Sequence, residues 1–170
     1  MLATSPPKVQ SKQILEMFSN IIPGDIIFRK YSYYLDSYFI PGVYSHSGIV
    51  LNREEIYHAT AKGITKDHPI DFIKDTDGFL VVRPYYDNPF RMNLALDIAK
   101  ALFDKKAEYD FTFNDDNKYY CHEFVCECLK AASIKIPKSE VKFGVFPFNF
   151  KLKIYLPDEI IIKCRKIYQF

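Results

Sequence analysis

Two apolar, β-favouring runs divided by a short turn constrain this chain most: Ser45 to Leu51, nearly all apolar after Ser47, and Glu54 to Thr60, on either side of Asn52-Arg53. They predict the two strands of a hairpin, the first of them central in a sheet, because a strand covered on both faces reads as a continuous apolar stretch. Each strand carries one histidine, His46 and His58, twelve positions apart. Both rings share a sheet face when cross-strand partners have position numbers with an even sum, such as 46 with 60 and 48 with 58. The two backbones are then diagonal neighbours about 7–8 Å apart, within imidazole reach. A two-residue turn at Asn52-Arg53 gives an odd sum and separates the rings, so their meeting requires a three-residue loop or a bulge.

Cys121 is the second constraint. It stands between a loop rich in aromatic and acidic residues, 109–120, and an amphipathic helical stretch, 121–132. A thiol in a first helical turn faces unpaired N–H groups and the positive end of the helix dipole, which depress its pKa and suit a nucleophile. With Cys121 packed against the histidine face, His46 is the expected base and His58 the group that orients it, the nucleophile, base and orienter of acyl-transfer enzymes. The Cys121 N–H is an expected oxyanion donor, with Tyr44 and Tyr120 as candidates for a second.

The rest of the chain frames these residues. Residues 1–9 read as a loose leader around Pro6-Pro7. A helix over 11–18 is expected, with Ser11 as cap and Ile14, Leu15 and Phe18 on its apolar stripe. Asp25 follows Gly24 as a turn residue, its carboxylate bonding nearby N–H groups before a strand over 26–29. Residues 31–42 are aromatic and irregular, a candidate cover for a pocket. A short helix over 69–75 begins at His68, a strand over 79–83 closes at Pro84, and a long helix spans 89–103. Residues 143–148 read as a loop and 164–170 as a strand. With no repeat and no boundary, residues 1–170 read as one domain.

Several function classes are disfavoured. Twenty-three basic against 21 acidic residues give a net charge of +2, too balanced for a nucleic-acid surface. Cys121, Cys126 and Cys128 crowd one helix, which suits neither a disulfide framework nor a zinc site, since residues two apart point about 200° apart. Asp110, Asp115 and Asp116 lack the spacing of an EF-hand, so no metal is expected. His122 points about 100° away from Cys121 and is expected at the surface, while Glu123 serves the helix dipole. No signal peptide and no run of about 18 apolar residues appear, which fits a cytoplasmic protein in a reducing compartment with no transmembrane segment. Nothing in the sequence specifies an oligomeric state.

The motifs Gly24-Asp25-Ile26-Ile27-Phe28, Tyr44-Ser45-His46-Ser47-Gly48-Ile49-Val50, Ile56-Tyr57-His58-Ala59, Tyr109-Asp110-Phe111 and Tyr119-Tyr120-Cys121-His122-Glu123-Phe124-Val125 resemble the circularly permuted NlpC-like papain-fold hydrolases. By pattern they are most similar to the YiiX/YaeF-type amidases and their poxvirus homologues, over about residues 22 to 165. In that family the His-bearing strands precede the Cys-bearing helix, the reverse of papain. The resemblance implies an α+β, papain-like fold, an antiparallel sheet or small barrel packed against helices. It implies a cysteine amidase or peptidase-like hydrolase working through Cys121, His46 and His58, with no cofactor and a small-molecule or peptide substrate. Bacterial members often carry Glu at the third position. His58 there is similar to the lecithin:retinol acyltransferase branch, which implies as alternative a lipid acyltransferase or thioesterase acting on a lipid acyl substrate. A catalytically silent binding module is the remaining alternative.

Overall fold

The computed structural model describes residues 9–31, 41–145 and 148–170, with 143–145 and 148–150 by their backbone alone. The apolar runs pair into one six-stranded antiparallel sheet. Its strands are β1 (Ile26–Lys30), β2 (His46–Val50), β3 (Ile56–Thr60), β4 (Gly63–Asp67), β5 (Gly78–Pro84) and β8 (Cys164–Gln169), in the order β4-β3-β2-β1-β5-β8. A separate hairpin joins β6 (Ser139–Val145) to β7 (Phe148–Ile154). The helices are α1 (Ser11–Asn20), α2 (Pro69–Ile73), α3 (Pro89–Asp104), α4 (Cys121–Ala131) and α5 (Pro157–Ile161). This is an α+β architecture of the expected class.

Period-two alternation sorts the central strands between two apolar layers. Ile26, Phe28, Ile49 and Leu80 join the core formed with Leu96 and Ala99 of α3 and Phe124 and Val125 of α4. Ile27, Val50, Ile56 and Phe79 join the opposite core, with Met17 of α1 and Phe72 of α2. Burial of each such large side chain stabilises the fold by about 1.5–3 kcal/mol. Asp25, fully buried, ties the entry to β1: its carboxylate accepts from Ile22 N at 2.9 Å and from Arg83 of β5 at 2.7 and 2.9 Å. The turn role expected of Asp25 is present, with an ion pair added.

The β2–β3 hairpin has the even register: Ile49 faces Tyr57 and Val50 faces Ile56. Leu51 N donates to Glu55 O at 2.8 Å, so the loop is the three residues Asn52 to Glu54, and the Asn52 side chain accepts from Glu54 N at 2.7 Å. Three local expectations fail, and one strand lies outside them. β4 was not expected, because Gly63-Ile64-Thr65-Lys66-Asp67 offers one large apolar residue at the edge of the sheet. Of the loop expected over 143–148, residues 143–145 and 148 are strand, in β6 and β7, and Phe148-Asn149-Phe150-Lys151-Leu152-Lys153-Ile154 alternates strictly. Helix α1 is capped by Gln10 rather than Ser11, through a reciprocal pair with Gln13, and Leu15 is 65 % exposed while Met17 is buried. The leader over 1–9 and the cover over 31–42 fall almost wholly outside the described residues.

Candidate active site

The site lies where the start of β2 meets the N-terminus of α4. Cys121 is the first residue of that helix, after Tyr120, where backbone N–H groups have no partner within the helix. Helix α4 is held on β2 by a buried contact: Ser47 Oγ is 2.8 Å from His122 Nδ1 and 3.4 Å from the Cys121 carbonyl oxygen, to which it donates. His122 is thus fully buried, not at the surface as its rotation from Cys121 had implied, because the sheet covers the first turn on that side as well. Among the described residues no hydrogen bond of ordinary geometry reaches its Nε2. Burial drives the ring down to about 3, against the opposing pull of the Tyr44 backbone.

A cavity of about 420 Å³ opens beside Cys121. Cys121, His46, Ser45 and Arg29 line it, with Ala59, Thr60 and Ala61 from the end of β3 and Tyr109, Phe111 and Phe113 from the loop before α4. That loop is built on Asp110, 1 % exposed, whose carboxylate accepts from Thr112 N and Oγ1 at 2.7 Å and from Asp115 N at 3.0 Å. The acidic run of the loop therefore holds aromatic side chains in place.

His46 and His58 meet as the even register requires. His46 Nε2 is 2.9 Å from His58 Nδ1, with the ring planes at 89°. The Phe72 ring of α2 backs both imidazoles, its centroid 5.6 Å from that of His46 and 5.0 Å from that of His58. Beyond His58 stands a residue that the sequence reading missed: Asp67 Oδ2, at the end of β4, is 2.9 Å from His58 Nε2. The signal was the hairpin that follows His58: once Thr60 faces Gly63, His58 faces Thr65 and Asp67 lies diagonally beyond on the same face.

Cys121 is 1 % exposed, and its thiol donates to the Ser45 carbonyl oxygen at 3.7 Å rather than to His46. Burial pushes the thiol up to about 12, against the N–H groups of Ser47 and His122, the Arg29 charge and the Cys121 N–H. This reverses the depressed pKa expected from the helix start: desolvation outweighs the N–H groups and the dipole. Desolvation, then the Arg29 guanidinium and the other imidazoles, holds His46 well below the usual histidine range. His58 is lowered to about 4 by burial, which outweighs the Asp67 carboxylate. The resting site therefore holds a neutral thiol beside neutral imidazoles.

The two tyrosines stand apart from the cavity lining. The Tyr120 hydroxyl is engaged by the backbone of Tyr155, whose N–H donates to it, and Tyr44 is buried against Phe28. Among the described residues no cluster of three or more His, Cys, Asp or Glu is arranged to hold a metal ion, and no helix is long and apolar enough to cross a membrane.

Residues 20–149 match the family described as permuted papain-like amidase enzymes, YaeF/YiiX, C92 family. Among solved structures, the fold is similar to that described as metalloprotein yiiX from Escherichia coli O157:H7. The TM-score is 0.66 at 17% sequence identity, over 89% of this chain and 98% of that one. No curated protein sequence matches the chain.

Proposed function

We propose, from the premise that the chain belongs to the permuted papain-like amidase family and is a cysteine hydrolase, that it cleaves an amide bond through Cys121, His46 and His58. The observation that carries this reading is the single cavity lined by Cys121 and His46, with His46 bonded in turn to His58. His46 Nδ1 takes the thiol proton as Sγ attacks the carbonyl carbon. The C–N bond breaks, and the leaving amine departs with that proton. Water then attacks the thioester, giving a proton to His46, which passes it to the departing sulfur, so that the acid is released and the thiol and neutral His46 are restored. The Cys121 N–H donates to the developing oxyanion.

The yiiX structure is described as a metalloprotein. The described residues here present no matching donor cluster, and no step of this mechanism uses a metal. The cavity chemistry favours an apolar acyl group: Tyr109, Phe111 and Phe113 line it together with Ala59 and Ala61, and among the described residues Arg29 is the one cation in the lining. A small acylated amide or a peptide with an apolar residue before the scissile bond fits it. The same aromatic wall, with Phe111 67 % exposed, favours as second reading a lipid acyl ester or thioester.

Incubation with p-nitrophenyl acetate, quenching in acid and peptide mass spectrometry test the reading. An acetyl group on Cys121 is expected, absent in His46→Ala. Hydrolysis that survives Cys121→Ala, or an acetyl group confined to other residues, overturns it. Turnover of aminoacyl p-nitroanilides against long-chain acyl thioesters then separates the two substrate classes.

A further inference from the structure

His58 is nearly closed off from solvent, 2 % exposed, yet the side chain bonded to its far nitrogen, Asp67, is 45 % exposed. The chain of contacts from the cavity to the surface thus runs His46, His58, Asp67, through two hydrogen bonds of 2.9 Å each. A carboxylate only accepts, so the proton shared with Asp67 sits on His58 Nε2. A neutral His58 then has a bare Nδ1, which accepts from His46 Nε2–H. A neutral His46 with its proton on Nε2 has, by elimination, a bare Nδ1.

We propose that Asp67 is a positioning residue that fixes both tautomers, so that His46 presents a bare Nδ1 toward the cavity that holds Cys121. The inference rests on the reading of Cys121 as nucleophile and adds the group that readies its base. Other neighbours of His58 cannot impose this order. Thr65 Oγ1, 3.4 Å from the same Nε2, either donates or accepts and so selects no tautomer. Arg29, which faces the pair from β1, and the Phe72 ring, which backs it from α2, offer His58 Nε2 no acceptor. The strand register places Asp67 where it acts: Ile56 faces Asp67 and His58 faces Thr65, so the carboxylate lies one diagonal step from His58.

Without Asp67, His58 Nδ1–H can donate to His46 Nε2, and His46 then carries its proton on Nδ1, the tautomer that cannot take a proton from the thiol. Long-range proton–nitrogen correlation of the 15N-labelled imidazoles reads this directly. In the intact protein at pH 7.5, His46 and His58 are both expected as Nε2–H tautomers. In Asp67→Ala the His46 signals are expected to shift to a mixture of tautomers, and acetylation of Cys121 by p-nitrophenyl acetate to fall about tenfold. That is the low end for losing a hydrogen bond to a charged group, since water can reach the place of a half-exposed side chain. Asp67→Glu is expected to recover most of the single tautomer.

His46 found with its proton on Nδ1 in the intact protein overturns the proposal without any variant. So does an Asp67→Ala protein whose tautomers and acetylation rate match the parent while only its melting temperature falls, the mark of a purely structural side chain. If the Nε2–H tautomers are found but Cys121 is never acetylated, the hydrolase reading fails and the role of Asp67 in ordering the two rings stands.

Discussion

Acidification to pH 5.5 is expected to strip this fold of a large share of its stability, because two histidines are locked inside it as neutral rings. His58 is 2 % exposed and His122 is fully buried, and their pKa values are lowered to about 4 and about 3. The unfolded chain binds protons at an ordinary histidine pKa of about 6.5. The native state binds fewer protons than the unfolded state between those limits, so stability falls as pH falls below about 6.5. Relative to pH 7.5, the two rings together contribute a loss of about 3 kcal/mol at pH 5.5 and about 5 kcal/mol at pH 4.5. Against a typical domain stability of about 5–15 kcal/mol, that is enough to bring unfolding into reach. His46, also lowered, adds to the loss, while Glu123, raised by burial, binds its proton more readily in the fold and opposes it. Urea unfolding followed by circular dichroism at half-unit steps from pH 7.5 to 4.5 measures the curve. His122→Asn, which cannot titrate and retains a partner for Ser47, should show about half the pH dependence whatever its absolute stability. A flat profile from pH 7.5 to 5.5, or an unchanged slope in His122→Asn, refutes the assignment of these rings as neutral.

Asp25→Ala is expected to cost about 3 kcal/mol, since it leaves the Arg83 guanidinium and Ile22 N–H without the buried carboxylate that holds them; a melting temperature within a degree of the parent contradicts this. Gly63→Ala is expected to cost about 1–3 kcal/mol, because residue 63 has a φ of +96° and a Cβ there would stand 2.5 Å from the Ala107 carbonyl oxygen. Thermal unfolding checks that loss, and an unaffected variant rules out the close approach of 107 to the β3–β4 turn. Cys121, 1 % exposed and with its pKa pushed up to about 12, is expected to react with iodoacetamide more slowly at pH 7.5 than an exposed free thiol. Peptide-resolved alkylation rates decide this, and a Cys121 faster than glutathione contradicts the neutral resting thiol.

What could be read from the sequence was whatever depended on counting positions. The parity of positions 46 and 58 required a three-residue loop, and the loop is Asn52 to Glu54. Helix starts were equally legible where proline marks them: Pro89 opens α3, and His68, before Pro69, caps α2 with its side chain. Depth was not legible. His122 follows Cys121 on a helix whose first turn is wrapped by β2, and no helical wheel contains the sheet that lies over it. Asp67 escaped notice because β4 is an edge strand, where the sheet's own register, rather than a run of apolar residues, decides which side chain meets His58.

The same depth explains how a site that looks unreactive at rest can serve the reaction proposed for it. Helix N–H groups favour a thiolate, but their effect falls short of the cost of taking the sulfur out of water, and the thiol keeps its proton. In the proposed reaction, proton transfer to His46 accompanies attack on a carbonyl carbon, when the negative charge can pass from sulfur to an oxygen facing the Cys121 N–H. The positive charge left on His46 has Arg29 and the other imidazoles as unfavourable neighbours, while the Asp67 carboxylate stands behind His58 on the far side of the pair. A carboxylate two hydrogen bonds away from an imidazolium, at an effective dielectric constant of about 20, stabilises it by about 2 kcal/mol. That attraction exists only while His46 is charged, so it lowers the barrier to acylation without making the resting cysteine reactive toward every electrophile that diffuses in.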